Sequence, residues 1–303
     1  VKVLQRRVAA ILAIVLFFPM IARHAAAQAD GHKAQDPIDD GAEDDNPYAT
    51  PAPSAAPSAS AKPHPNAPRV TIPFQDGMLR LPGGKFTMGS ADPLASPNER
   101  PPHAVTLAPF WIDKIEVSVR AFRACVDKHQ CTRPPRASLL CTYDLDDPEL
   151  PVSCIRWSDA EAYCRNLGRR LPRESEWEYA ARGVSPIRYP WGGGSTSCST
   201  AVTLLNEGTS KSCAGKRPSP VGTHLQGASA FGVLDLSGNV EEWMSDWYAE
   251  NLAEGASPRA GASHVLRGGG WLSAPSASRT TTRNWGSVLE AGPNVGFRCA
   301  KDG

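Results

Sequence analysis

The residues with most chemistry to offer are eight cysteines, Cys125, Cys131, Cys141, Cys154, Cys164, Cys198, Cys213 and Cys299, all past residue 120. Thiolates bind metals, attack electrophiles or pair as disulfides. Zinc is argued against: no C-x-x-C or H-x-x-x-H spacing occurs, and His103, His129, His224 and His264 are scattered. No Ser/His/Asp or paired-carboxylate array is legible in the spacing, so the residues alone name no catalytic group. The run Gly268 to Gly270 lacks the strand-to-helix setting of a phosphate loop and reads as a tight packing site. Trp177, Trp191, Trp243 and Trp271 read as core aromatics. A net charge of +1 gives no nucleic-acid footprint.

The elements that must position these residues begin after a leader. Lys2, Arg6 and Arg7 precede an apolar run from Val8 to Ala22, and the small residues Ala25, Ala26 and Ala27 follow. This is the pattern of a cleavable signal peptide over residues 1–27. The apolar run is shorter than the ~20 residues that span a bilayer as a helix. A membrane contact is therefore expected only through an uncleaved leader; Arg6-Arg7 leaves both the Sec and twin-arginine routes open. Residues 28–70 shift to Ala, Pro, Ser and Asp, with acids at Asp36, Asp39, Asp40, Glu43, Asp44 and Asp45, and read as a disordered tether. That patch lacks the order of a calcium loop. The folded domain is expected over 71–303, in a periplasmic or secreted protein whose cysteines default to four disulfides.

Within the domain, Met78 to Ser90 reads as strand, Gly-rich turn, strand, and Phe110 to Val117 as another strand. Ser118 sits at an N-cap position, with Val119, Phe122 and Val126 on one helical face. Ser158 and Glu161 are expected to form a capping box for a second helix that stops at Gly168. A third, Glu174 to Arg182, stops at Gly183, with Glu178 four residues ahead of Arg182. Helices early and irregular strands late predict an α+β fold.

Ordered blocks then resemble one family. They are Pro82-Gly-Gly-Lys-Phe-Thr-Met-Gly-Ser90, the stretch Trp157 to Gly183 with Gly-Arg-Arg-Leu-Pro-Arg-Glu-Ser-Glu-Trp-Glu-Tyr, Tyr189-Pro-Trp-Gly192, Phe231 to Trp243, and Arg267-Gly-Gly-Gly-Trp271 closing with Gly296-Phe-Arg-Cys-Ala300. The chain resembles the sulfatase-modifying-factor, or formylglycine-generating-enzyme (FGE-sulfatase), domain. That resemblance implies an irregular C-type-lectin-like FGE fold, low in regular secondary structure and disulfide-stapled. It also implies a bond from Cys164 to Cys299. The other six pair most simply with near neighbours: Cys125 with Cys131, Cys141 with Cys154, and Cys198 with Cys213.

The resemblance further implies calcium at Ser237-Gly-Asn-Val-Glu-Glu-Trp243, through an oxygen of Asn239, the carbonyl of Val240 and the carboxylate of Glu242. The family's usual tryptophan at position 241 is Glu241 here. Active oxidases of the family carry a cysteine pair that holds copper(I) and turns a sulfatase cysteine into formylglycine. In this chain those positions fall near Pro275 and on Thr280, so copper is not expected. The first functional reading is a non-catalytic binding or accessory module whose groove, with Arg279, Thr280, Arg283 and Trp285, holds a peptide, glycan or protein ligand. The others are an enzyme of non-thiol chemistry, as in family members that act in siderophore maturation, and a formylglycine-generating oxidase.

Overall fold

Ser118 opens the first helix as its position predicts: its hydroxyl accepts from Ala121 N at 3.2 Å, and α1, Val119–Asp127, buries Val119, Phe122 and Cys125. The computed structural model describes residues 72–93, 95–250 and 261–303; the expected leader and tether lie outside the described residues. No helix among the described residues is long and apolar enough to cross a membrane.

The second helix, α2, spans Trp157–Asn166 and differs from expectation at its start. Its N-cap is Arg156, with no side-chain cap, so Ser158 forms no capping box; Glu161 instead pairs with Arg165 at 2.5 Å. The start is fixed from outside, by Trp157 Nε1 donating to the Met244 carbonyl at 2.9 Å. Its end is as expected: Gly168, at φ 67°, lets the N–H groups of Gly168 and Arg169 return to the carbonyls of Arg165 and Cys164, both at 2.9 Å. The third helix, α3, runs Glu174–Arg182 and is buried almost all round.

Among the described residues the strands form three small sheets. β1 (Phe74–Gln75), β2 (Met78–Leu81), β5 (Phe110–Asp113) and β10 (Ala300–Asp302) make an antiparallel sheet in the order β1-β2-β5-β10. β3 (Gly84–Met88) pairs with β4 (His103–Leu107), and β8 (Arg283–Ser287), β7 (Ser263–Arg267), β6 (Glu241–Trp247) and β9 (Val295–Gly296) make the third, in that order. The two strands around Pro82-Gly83 thus exist but belong to different sheets. Gly83 makes the crossing possible: it has φ 68°, and a Cβ there would lie 2.4 Å from the Leu107 carbonyl. The strand expected to reach Val117 ends at Asp113, after which the chain turns and carries Glu116 into the core.

One core cluster wraps α3, with Leu81, Phe86, Phe110, Ile112, Trp177 and Met244; the other joins α1 and α2, with Phe122, Leu150, Ile155, Trp243 and Phe297. Trp271 is also buried, whereas Trp191 is only half-buried and stacks on Tyr189 at 5.0 Å. All eight cysteines are paired, Cys125–Cys131, Cys141–Cys154, Cys164–Cys299 and Cys198–Cys213, the pattern expected from sequence. Cys164–Cys299 ties α2 to the residue before β10 across a separation of 135 residues.

Candidate functional site

A chain of buried charges positions the site. Glu174 and Glu178, one turn apart on α3, face Arg267 of β7, whose guanidinium lies 5.2 Å from the Trp177 ring. Arg267 donates to Glu178 at 2.6 Å and Glu174 at 3.2 Å, and also to the carbonyls of Thr280 (2.7 Å) and Thr281 (3.2 Å). The segment that carries the implied cysteine position is therefore held by its backbone. Arg182 shares Glu178 and donates to the carbonyls of Thr87 and Gly89. Glu178 and Arg182, four residues apart on α3, form a core ion pair.

Above this layer lies a cavity of about 210 Å³, lined by Gly89 to Asp92, Arg182, Pro186 to Arg188, Arg279 and Thr281. Arg279 is bidentate on Glu99, at 2.6 and 3.0 Å, and Thr281 Oγ1 donates to the same carboxylate at 2.7 Å. Burial would raise the Glu99 carboxyl, but the Thr281 and Arg279 hydrogen bonds and the Arg279 charge hold it below its ordinary value. Thr280 is fully buried; its N–H donates to the Arg188 carbonyl at 2.9 Å and its hydroxyl to the Ile187 carbonyl at 2.7 Å. Arg188 itself is exposed, lies 5.8 Å from the Tyr189 ring, and forms no ion pair among the described residues. The carbonyl of Pro275 accepts from the Tyr189 hydroxyl at 3.1 Å.

The expected groove of Arg279, Thr280, Arg283 and Trp285 is therefore not one surface. Arg283 is buried, bidentate on Glu174 at 2.6 and 3.0 Å, and its guanidinium lies 5.3 Å from the Tyr248 ring. Trp285 is 52% exposed. A guanidinium already satisfied by a buried carboxylate has little left for a ligand, so Arg279 and Arg283 are corrected from ligand anchors to structural ions. Among the described residues that line the cavity, the arginine without a carboxylate partner is Arg188, which spacing did not single out. Arg283 had a legible warning: a buried arginine needs a counter-ion, and α3 offers glutamates on one face; Glu99, the partner of Arg279, had no such signal.

Of the oxygens expected for calcium, those of the Glu242 and Asn239 side chains are likewise committed. Both oxygens of Glu242 accept from Arg298, at 2.7 and 2.8 Å, and one also from Trp177 Nε1 at 3.1 Å. Asn239 Oδ1 accepts from Ser219 N at 2.9 Å, while its amide and Val240 N donate to Glu116. This does not fit the oxygen cage calcium takes, and among the described residues no group of three or more His, Cys, Asp or Glu is arranged to hold a metal ion. Glu116 is fully buried; burial, then repulsion from Asp235 and Glu242, push its carboxyl well above the ordinary value.

The three small sheets, buried ion layer and disulfide frame define an irregular α+β domain of the C-type-lectin-like FGE type. The chain belongs to the FGE-sulfatase family: the sulfatase-modifying factor enzyme 1-like domain matches residues 64–303. It is 33% identical to a formylglycine-generating enzyme of Streptomyces coelicolor, over 82% of this chain and 95% of that protein. It is 32% identical to the inactive C-alpha-formylglycine-generating enzyme 2 of Mus musculus, over 74% of this chain and 85% of that protein. The structure of PvdO from Pseudomonas aeruginosa is similar at a TM-score of 0.62 and 29% identity, covering 74% of this chain and 94% of that one.

Proposed function

We propose that this protein is an exported binding or accessory module that holds a peptide, glycan or protein ligand at the cavity beside Thr280 and does not oxidise sulfatase cysteines. One observation carries the reading: all eight cysteines are consumed in four disulfides, while the positions where the resemblance places the copper-binding pair fall near Pro275 and on Thr280. Copper(I) requires soft thiolates, and a hydroxyl already donated to the Ile187 carbonyl cannot replace one. Four disulfides also favour an oxidising, extracytoplasmic compartment. Incubating the protein with a Cys-x-Pro-x-Arg peptide, copper and reductant, then weighing the peptide, tests the reading. An unchanged mass is expected; conversion of the cysteine to the aldehyde overturns it.

A second reading, an enzyme without thiols, draws support from Glu241. Burial pushes its carboxyl up to about 7, against a hydrogen bond from Asn284. That bond is 3.0 Å long, and Asn284 is exposed. A carboxyl poised near neutrality suits proton transfer. A metabolite that accumulates in a deletion strain and is converted by the purified protein, but not by its Glu241→Gln variant, would select this reading.

A further inference from the structure

Cys198–Cys213 differs from the other disulfides in where it sits. Cys198 is exposed, whereas Cys125, Cys141, Cys154, Cys164 and Cys299 are buried. The loop it closes leans on the wall of the cavity. Leu204 N donates to the Ser273 carbonyl at 2.9 Å, and Glu207 accepts from Ser276 N at 2.9 Å and Ser276 Oγ at 3.1 Å. Glu207 thereby caps the short 3-10 turn Pro275–Ser278, and the next residues, Arg279 and Thr281, line the cavity. The root of the loop, Ala201 to Thr203, is buried, and Asn239 N donates to the Val202 carbonyl at 2.8 Å; its outer part has less to keep this posture. Leu205 to Gly208, Ser210 and Lys211 are exposed, and its internal backbone bonds include Leu205 N to the Lys211 carbonyl at 2.8 Å and Cys213 N to the Thr203 carbonyl at 3.1 Å. Without the crosslink, the entropy of a long exposed loop opposes both contacts.

We propose that Cys198–Cys213 is a thiol–disulfide exchange site through which a dithiol partner releases the Glu207 cap and loosens this wall of the cavity. A thiolate of the dithiol attacks Cys198 Sγ, the S–S bond breaks, and Cys213 leaves as a thiolate that takes a proton. The partner's second thiol then displaces Cys198, which also ends as a thiol. Two electrons and two protons pass to the protein, and the partner leaves as its own disulfide. The device is independent of what the cavity binds, so its test needs no ligand.

The full chain is titrated with dithiothreitol, thiols are trapped with iodoacetamide and located by mass spectrometry, and amide exchange is followed on the same samples. Cys198 and Cys213 are expected to be alkylated before the other six cysteines. On their reduction the Ser276 and Leu204 amides should exchange about ten-fold faster or more, while the Phe122 and Trp177 amides of α1 and α3 keep their rates. Glu207→Ala, with every disulfide intact, should raise exchange at Ser276 alone. Earlier reduction of another pair overturns the proposal, as does unchanged Ser276 exchange once Cys198 and Cys213 are reduced. Because the reduction is made on the native chain, a Cys198→Ser/Cys213→Ser variant serves only as a second sample, expected to show the same fast Ser276 exchange without reductant.

Discussion

At the scale of single residues, the segment where the family resemblance places a cysteine pair carries groups whose state is set by burial. Thr280 gives its hydroxyl to a carbonyl, and Arg279 and Arg283 give their guanidiniums to Glu99 and Glu174. Glu241 has no such cation among the described residues, and its cost is pH-dependent. Its folded pKa, about 7, lies above the ordinary 4.5, so the folded state binds the extra proton between those values. Stability from this group is therefore intact below about pH 4.5 and declines as pH rises to about 7, by roughly 3 kcal/mol in all. Glu241→Gln keeps an acceptor for Asn284 and should remove most of that decline. Urea unfolding between pH 5 and 8 checks it; a residual slope remains from Asp113, which burial pushes up to about 6, and from Glu116, which burial pushes well above its ordinary value. Equal slopes for parent and variant would show that Glu241 ionises without cost.

Among the elements, the joints matter more than the short strands they connect. The chain passes from the first sheet to the second at Gly83, where the Tyr179 hydroxyl of α3 donates to the Gly83 carbonyl at 2.5 Å. Adding a methyl group at this positive-φ position forces it against backbone, not against a side chain that can turn away. Gly83→Ala is expected to cost more than about 2 kcal/mol. Gly193→Ala, where a Cβ meets nothing within 4 Å and φ is not positive, should stay within about 0.5 kcal/mol of the parent. Comparing the two denaturation midpoints at constant m-value separates backbone strain from a general intolerance of alanine.

For the whole molecule, short strands and loop-rich connections make covalent closure important. Cys164–Cys299 spans 135 residues and joins the α1–α2 cluster to the approach of β10, whose partner is β5. Replacing both cysteines by alanine removes a constraint worth about 4 to 5 kcal/mol in the chain-entropy model. The double variant should show a denaturation midpoint lowered accordingly, with the other three disulfides still formed by mass spectrometry. A midpoint shift of less than about 1 kcal/mol would mean that packing around Phe297 and Tyr163 alone holds the closure.

Much of this architecture was legible before any coordinates, because it depends on contacts near in sequence. The Ser118 cap, the Gly168 stop and the three local disulfides involve residues within about fifteen positions of one another, where spacing dictates geometry. The ordered motifs carried the family and its fold, and the missing cysteines spoke against its copper chemistry. Tertiary structure alone decided what the charged residues do. Arg279 meets Glu99 across 180 positions, Arg267 meets Glu178 across 89 and Arg298 meets Glu242 across 56, and spacing over such distances prescribes no partner. Sequence therefore supplied arginines beside a groove and a carboxylate for calcium. Folding assigned them to one another, since a charge taken out of water must find its counter-ion inside the protein.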